Sequence, residues 1–247
     1  MKKVIKLYSS LFLLHSTLNA FSSPLQQSVN SIAKEKVTDA TYTTYNLTEQ
    51  SANAIKDSIV PIERDTSFMQ INTKLKAAAV RLKKITATLD EYVTANGFNT
   101  EISFMVDMAI PSGKNRFFIY DIKEGAVEQS SLVSHGSGSY TKGCNDLLVF
   151  SNVVNSNATS LGKYKIGNAY YGKYGLSYKL FGLDSTNSKA FERAIVLHSD
   201  SYVPRVETYP RHIYESAGCP AVSPTFLADL DKYIKASKKP ILLWIYN

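Results

Sequence analysis

Cys219 lies in the segment Ser216-Ala217-Gly218-Cys219-Pro220, 21 positions after His198, which ends the apolar run Ala194-Ile195-Val196-Leu197. A cysteine and a histidine that meet in a fold can carry out acyl transfer. Imidazole titrates near neutrality, so it can take the thiol proton and later return it to a leaving amine. A free thiol is only about a few per cent thiolate at neutral pH, and pairing with imidazolium raises that fraction. The residues around Cys219 suit attack on a carbonyl. Gly218 has no Cβ and Ala217 almost no side chain, so a ligand can come close, while Pro220 stiffens the exit of the turn. Backbone N–H groups in such a turn can converge on the oxygen that becomes negative during attack. Two plainer readings stand beside this one. The chain has two cysteines, Cys144 and Cys219, and an exported protein commonly oxidises such a pair; a cysteine also serves as a small buried hydrophobe. His198, at a strand end, could equally be a packed or surface residue.

Metal binding is the other chemistry open to these residue types. The four histidines are His15, His135, His198 and His212, and none joins paired cysteines or a His-Glu-x-x-His helix. Only convergence of His135, His198 and Cys219 in space would build a metal site. The expectation is no metal and no cofactor, and no glycine-rich phosphate loop precedes a helix. His212 carries no motif and reads as an exposed loop residue.

These groups need a scaffold, and the sequence supplies one after residue 67. Ile71, Leu75, Ala78, Leu82, Ile85, Leu89 and Tyr92 recur at spacings of three and four, which predicts one amphipathic helix over 71–93 that ends at Asn96-Gly97. Lys74, Lys76, Lys83 and Lys84 fall largely outside that stripe and read as its wet face. Beyond Gly97 the period shortens, and 101–108, 116–122, 126–134, 162–170, 177–181 and 193–199 read as strands between glycine, proline and asparagine turns. A late helix over 224–236 opens on Pro224, a residue suited to a first turn. The chain closes on the dense apolar strand 241–246. Many strands and few helices predict a mainly β fold, a sandwich or barrel with a few peripheral helices, rather than alternating βαβ units.

Upstream, Lys2, Lys3 and Lys6 precede the apolar run 7–14 and polar or small residues to Ala20, which predicts a secretory signal peptide over 1–20. The apolar run is too short to span a lipid bilayer, so stable membrane insertion after cleavage is not expected. Residues 21–67, rich in Ser, Thr and Asn with Pro24 and Pro61, read as an extended or loosely ordered segment, with a helix conceivable over 48–60. Removing the leader lowers the formal net charge from +7 to +4, since its three lysines leave and no acid does. That balance fits an acidic polymer surface but supports only non-specific attraction. The lysines are dispersed and no run resembles a nucleic-acid module, so a nucleic-acid partner is not expected. Nothing in the sequence specifies an oligomeric state.

Several motifs in order carry a resemblance. The chain resembles the murein L,D-transpeptidase catalytic-domain families of the YkuD-like superfamily, in particular the branch with Ser-x-Gly-Cys-Pro at the nucleophile. The matching motifs are Val133-Ser134-His135-Gly136-Ser137-Gly138, Phe150-Ser151-Asn152, Ser160-Leu161-Gly162, Tyr171-Gly172-Lys173-Tyr174-Gly175, Arg193-Ala194-Ile195-Val196-Leu197-His198 and Ser216-Ala217-Gly218-Cys219-Pro220. They extend from about residue 71 to 246, so the resemblance implies a catalytic domain over 68–247 that includes the N-terminal helix.

The resemblance implies that Cys219 is the nucleophile, His198 its base, and Ser199 the residue whose backbone carbonyl orients the ring. Gly218 and Cys219 would offer N–H groups to the oxyanion. Arg211, eight residues before Cys219, corresponds to an arginine that would grip a substrate carboxylate. His135, Gly136, Ser216, Tyr171 and Tyr174 would line the substrate cleft, although a structural histidine would look the same at 135 and sheet packing would favour the tyrosines as well. Many relatives have a histidine two residues before the cysteine. Here that position is Ala217, which removes one donor near the oxyanion and leaves His198 as the base. The implied reaction is transfer on peptidoglycan stem peptides in the periplasm or extracellular envelope of a bacterium. The alternatives are an L,D-carboxypeptidase that uses the same site and a non-catalytic envelope binding module held by a Cys144-Cys219 disulfide.

Overall fold

Strand β1 (Ile102–Asp107) begins an eight-stranded mixed sheet in which β1, β2 and β8 are buried at nearly every position while β4 alternates buried and exposed residues. A computed structural model describes residues 66–141 and 147–247. The expected leader, the polar segment up to residue 65 and Cys144 lie outside them. The other strands are β2 (Phe117–Asp121), β3 (Ala126–Ser131), β4 (Gly162–Gly172), β5 (Gly175–Gly182), β6 (Val196–Ser199), β7 (Ala221–Val222) and β8 (Leu242–Tyr246). Their order is β3-β2-β1-β8-β4-β5-β6-β7, with β1–β8 and β6–β7 parallel and the remaining pairs antiparallel.

Alternate residues of one strand face opposite sides. Phe104 and Val106 of β1 join Phe117, Tyr164, Leu180, Leu243 and Ile245 in one core, packed on Phe226, Leu227 and Leu230 of helix α3 (Pro224–Ala236). Met105, Phe118 and Leu242 face the other way, toward helices α1 (Thr66–Thr86) and α2 (Leu89–Ala95). A sheet covered on both faces needs apolar residues at consecutive positions, as 241–246 has. α3 starts as its sequence predicts: Ser223 Oγ accepts from the Phe226 N–H and Pro224 follows the cap.

Two expectations are corrected. The single helix over 71–93 is two helices, broken at Ala87 and Thr88. The Thr86 and Thr88 hydroxyls donate to the carbonyls of Leu82 and Ile85, and such local bonds compete with the helical ladder. The restart buries Leu89 and Val93 completely. The second correction concerns the sandwich or barrel: the fold is mainly β as expected, but its strands form one mixed sheet with helices packed against it, and among the described residues no ladder joins its edges β3 and β7. Past the end of β3, Val133 makes one isolated bridge to Val222, and the Ser134 N–H donates to Ala221 O at 2.8 Å. The short strand β7 was not anticipated, and the expected strand 193–199 begins only at Val196, because Arg193 and Ala194 form a turn with Ala194 at φ +53°.

The join between the two edges rests on a buried cation. Arg116, just before β2, is 1% exposed. Its guanidinium donates twice to Val133 O, at 3.0 and 2.8 Å, once to Ile110 O at 3.2 Å, and contacts His135 Nδ1 at 3.0 Å. Burial pushes its pKa down to about 9, against the attraction of Asp107, so it remains charged at neutral pH. Asp107 itself takes a bidentate pair from Arg81, which ties α1 to β1. Arg116→Met removes the donors and leaves two buried carbonyls unpaired. The expected loss is about 3 kcal/mol of unfolding free energy, read as a lower urea midpoint at unchanged slope. A midpoint equal to that of the parent protein contradicts this account of the join.

Candidate active site

β6 carries His198 into the sheet between two neighbours: Ser177 of β5 pairs with it on one side and Ala221 of β7 on the other. The ring is 3% exposed. Its Nδ1 lies 2.9 Å from the Ser199 carbonyl oxygen, which can only accept. Nδ1 therefore carries the proton, and the lone pair is on Nε2. Tyr174, at the two-residue turn between β4 and β5, stacks on the ring with centroids 4.1 Å apart and planes 21° apart. Burial pushes the His198 pKa down, and the Ser199 carbonyl and Asp200 oppose it.

Parallel pairing of β6 with β7 brings Cys219, two residues before Ala221, beside the start of β6. Its sulfur accepts from the Val196 N–H at 3.4 Å and lies 3.9 Å from Ala194 O. Cys219 is a free thiol, half-buried, and among the described residues no hydrogen bond joins it to His198. Burial raises its pKa, partly offset by the Val196 N–H and the charge of Arg193. With the thiol raised and the imidazole lowered, the resting form at neutral pH is two neutral groups rather than an ion pair.

The Cys219 turn is built from small residues and serines. Gly218 stands at φ +110°, which side chains rarely adopt. Gly136 lies against it: a Cβ there would sit 2.8 Å from Gly218 Cα and 2.1 Å from Asn157 O. Gly136 bridges Ser216, whose N–H donates to His135 O and whose carbonyl accepts from the Ser137 N–H, both at 2.8 Å. Ser216 Oγ then closes the turn on itself, donating to Cys219 O at 2.6 Å and accepting from the Gly218 N–H at 3.1 Å. Of the two N–H groups expected at the oxyanion, Gly218's is thus occupied. The Cys219 N–H has no protein acceptor among the described residues.

The other expected site residues separate into two groups. Tyr174, Gly136 and Ser216 lie in the site. His135 is buried behind it: its Nδ1 accepts from Arg116, and its Nε2 is 3.8 Å from Glu215 Oε1 with no hydrogen-bond partner among the described residues. Burial, Arg116 and His212 push its pKa down to about 3, so it stays neutral. Tyr171 is 82% exposed. Arg211 is exposed, its N–H donating to Thr208 O and its carbonyl accepting from Thr208 Oγ1, both at 2.9 Å, and its guanidinium has no protein partner among the described residues. Tyr178 is core, its hydroxyl bonded to Asp231. His212, exposed as expected, meets Ser112 Oγ at 3.3 Å. Sequence reasoning missed Ser134, buried between the turn and β7, where its hydroxyl accepts from the Ala221 N–H at 3.0 Å. It also gave no role to Arg116 or Arg193. Ser134 and Arg193 stand inside motifs quoted for other residues, which was the only available signal. Among the described residues no cluster of three or more His, Cys, Asp or Glu is placed to hold a metal, and no helix is long and apolar enough to cross a membrane.

The neutral resting pair makes a prediction about pH. Alkylation of Cys219 without substrate should rise with pH to a midpoint above that of a free thiol, about 8.5. His198→Ala should leave that midpoint nearly in place. A midpoint below pH 7 in the parent protein would instead reveal a resting thiolate–imidazolium pair.

The family described as the L,D-transpeptidase catalytic domain matches residues 73–246. No curated protein matches the sequence. Among solved structures, the chain is similar to an L,D-transpeptidase from Xylanimonas cellulosilytica at 13% identity, over 59% of this chain and 60% of that one, with a TM-score of 0.34. It is similar to the helical cell shape determining protein of Campylobacter jejuni at 12% identity, over 61% and 49% of the two chains, with a TM-score of 0.38. An L,D-transpeptidase from Enterococcus faecium gives 12% identity, 59% and 50% coverage and a TM-score of 0.36. The chain thus spans 60% or less of the length of each, and likenesses this loose add nothing to the family match. That match takes in β1 to β8, the Cys219 turn and His198, and on it the chain belongs to the L,D-transpeptidase catalytic-domain family.

Proposed function

We propose that the protein is a peptidoglycan L,D-transpeptidase of the Ser-x-Gly-Cys-Pro branch, exported to the periplasm or extracellular envelope, with Cys219 as nucleophile and His198 as base. The observation that carries this reading is the tautomer of His198. Its proton is held on Nδ1 by Ser199 O, so Nε2 is a free base on the strand whose Val196 N–H contacts the sulfur. Rotation of the thiol from Val196 toward Nε2 would start the reaction. Substrate-free sites commonly have such loose catalytic contacts.

In the acylation step the Cys219 thiol gives its proton to Nε2 and attacks the carbonyl that links the L-centre of a stem diamino acid to the terminal D-alanine. The Cys219 N–H is the donor available to the oxyanion, and one such donor is typically worth about 3 kcal/mol. Collapse breaks the C–N bond, His198 protonates the amine, and D-alanine leaves a thioester behind. The side-chain amine of a second stem then attacks the thioester and loses its proton to His198. Cys219 is released and a 3→3 cross-link forms. Water in place of that amine makes the same site an L,D-carboxypeptidase. Arg211, exposed and without a protein partner among the described residues, is the group for a substrate carboxylate, and Tyr171 and Tyr174 flank the entry from the β4–β5 turn.

Incubation with purified wall fragments carrying tetrapeptide stems, followed by mass measurement, tests the reading. Cross-linked dimers are expected from the parent protein. Cys219→Ala and His198→Ala should each fold normally and cut D-alanine release by about 10³-fold or more. Tripeptides alone would assign hydrolysis instead. Unchanged fragments with a verified free thiol would overturn both enzymatic readings and favour a binding module.

A further inference from the structure

Arg193 has no place in the chemistry above, and its surroundings are unusual for a cation. We infer that Arg193 supplies the positive charge that makes Cys219 nucleophilic, stabilising the thiolate across the Gly218 turn without touching the sulfur. It is a positioning residue for the nucleophile.

The guanidinium is half-buried in the turn before β6. It donates from Nη1 to Ser151 O at 2.8 Å and Ser160 Oγ at 3.1 Å, and from Nη2 to Ser156 Oγ at 3.4 Å and to Ala158 O. Every one of these acceptors is neutral. Among the described residues no carboxylate pairs with it. The geometry aims that charge at the nucleophile's turn. Nη2 would lie 3.2 Å from a Cβ on Gly218, the residue before Cys219, and the same Cβ would be 2.9 Å from Ala158 O. Gly218 thus permits the guanidinium to reach the turn. Ala194, at φ +53°, lets the arginine fork point to 151–160 while the Ala194 carbonyl faces the sulfur.

The neighbouring titratable groups leave the thiolate as the anion this charge can serve. Burial pushes Tyr164, bonded to Ser160, up to about 12, so it is neutral at working pH. Asp200 acts on His198. His198 is neutral in the resting form and cannot supply the charge. Attraction between Arg193 and Cys219 is felt by both groups: burial lowers the Arg193 pKa, while Tyr164 and then Cys219 raise it, and Arg193 opposes the upward push of burial on Cys219. A clamp for 151–160 would explain the four hydrogen bonds, but it does not require a charge beside a thiol.

The inference rests on Cys219 being the nucleophile proposed above, but its test reads the thiol and needs no wall substrate. Failure to process wall fragments would leave it standing. The full chain is alkylated with iodoacetamide from pH 6 to 10, and modification is followed on the Cys219 peptide by mass, which separates it from Cys144. Arg193→Gln should slow alkylation at pH 8 by roughly tenfold and move the midpoint upward, and Arg193→Lys should stay within about threefold of the parent protein. Ser160→Ala, which loosens the clamp and keeps the charge, should lower stability and leave the profile in place. If Arg193→Gln does not fold, Ser156→Asp offers the guanidinium a carboxylate with the arginine retained, and the same slowing is expected. Profiles for Arg193→Gln or Ser156→Asp that superimpose on the parent, or a Ser160→Ala profile shifted as far as that of Arg193→Gln, would overturn the inference.

Discussion

A single buried guanidinium sets the geometry of this domain. Arg116 enters the interior at the start of β2 and spends its donors on Val133 O and Ile110 O, with His135 Nδ1 beside it. A charge at that depth is costly unless its donors are matched, and carbonyls that turn toward it are costly to leave unmatched. The two requirements together fix the chain between Val133 and His135. The cysteine turn is tied to that short stretch at three points. Ser134 bonds Ala221, His135 accepts from Ser216, and Gly136 lies against Gly218. His135 therefore supports the site through its backbone and the neutrality of its ring.

The same stretch explains why the sheet stops short of closure. β3 ends at Ser131 because the following residues turn toward Arg116 and the cysteine loop instead of laddering with β7. One bridge and a few serine bonds then hold two sheet edges and the Cys219 turn in register. On this frame the electrostatics divide between two elements. The ring of His198 is fixed by Ser199 below and Tyr174 above, and is neutral. The cation near the thiol comes from Arg193, on the other side of Gly218. In the proposed mechanism base and charge are thus separate groups, so one imidazole need not be both a proton acceptor and a standing counter-ion.

Much of the scaffold was legible in the sequence because its signals are local. The strand runs, the late helix capped at Ser223-Pro224 and the dense strand 241–246 are each encoded by neighbours a few residues apart. The break at Ala87 and Thr88 was concealed because the apolar stripe continues through it at helical spacing. Only the threonine hydroxyls, and the pull of Leu89 and Val93 into the core, interrupt the backbone. The barrel or sandwich was an inference from counting strands. The strands form one mixed sheet with α3 packed on one side and α1 and α2 on the other, and among the described residues no ladder joins its edges.

The sequence by itself determined the kinds of chemistry present: a cysteine among small residues, a histidine closing an apolar run, and a family match over 73–246. Only the tertiary structure decided how they meet. Ser134 and Cys219 are 85 residues apart in sequence, and Arg193 and Ala158 are 35 apart. Such contacts depend on register and burial, which no window of neighbouring residues encodes. Burial left thiol and imidazole neutral, and the packing turned the sulfur toward Val196, assigned Gly218's N–H to Ser216, and put Arg193, with no carboxylate partner among the described residues, behind the turn.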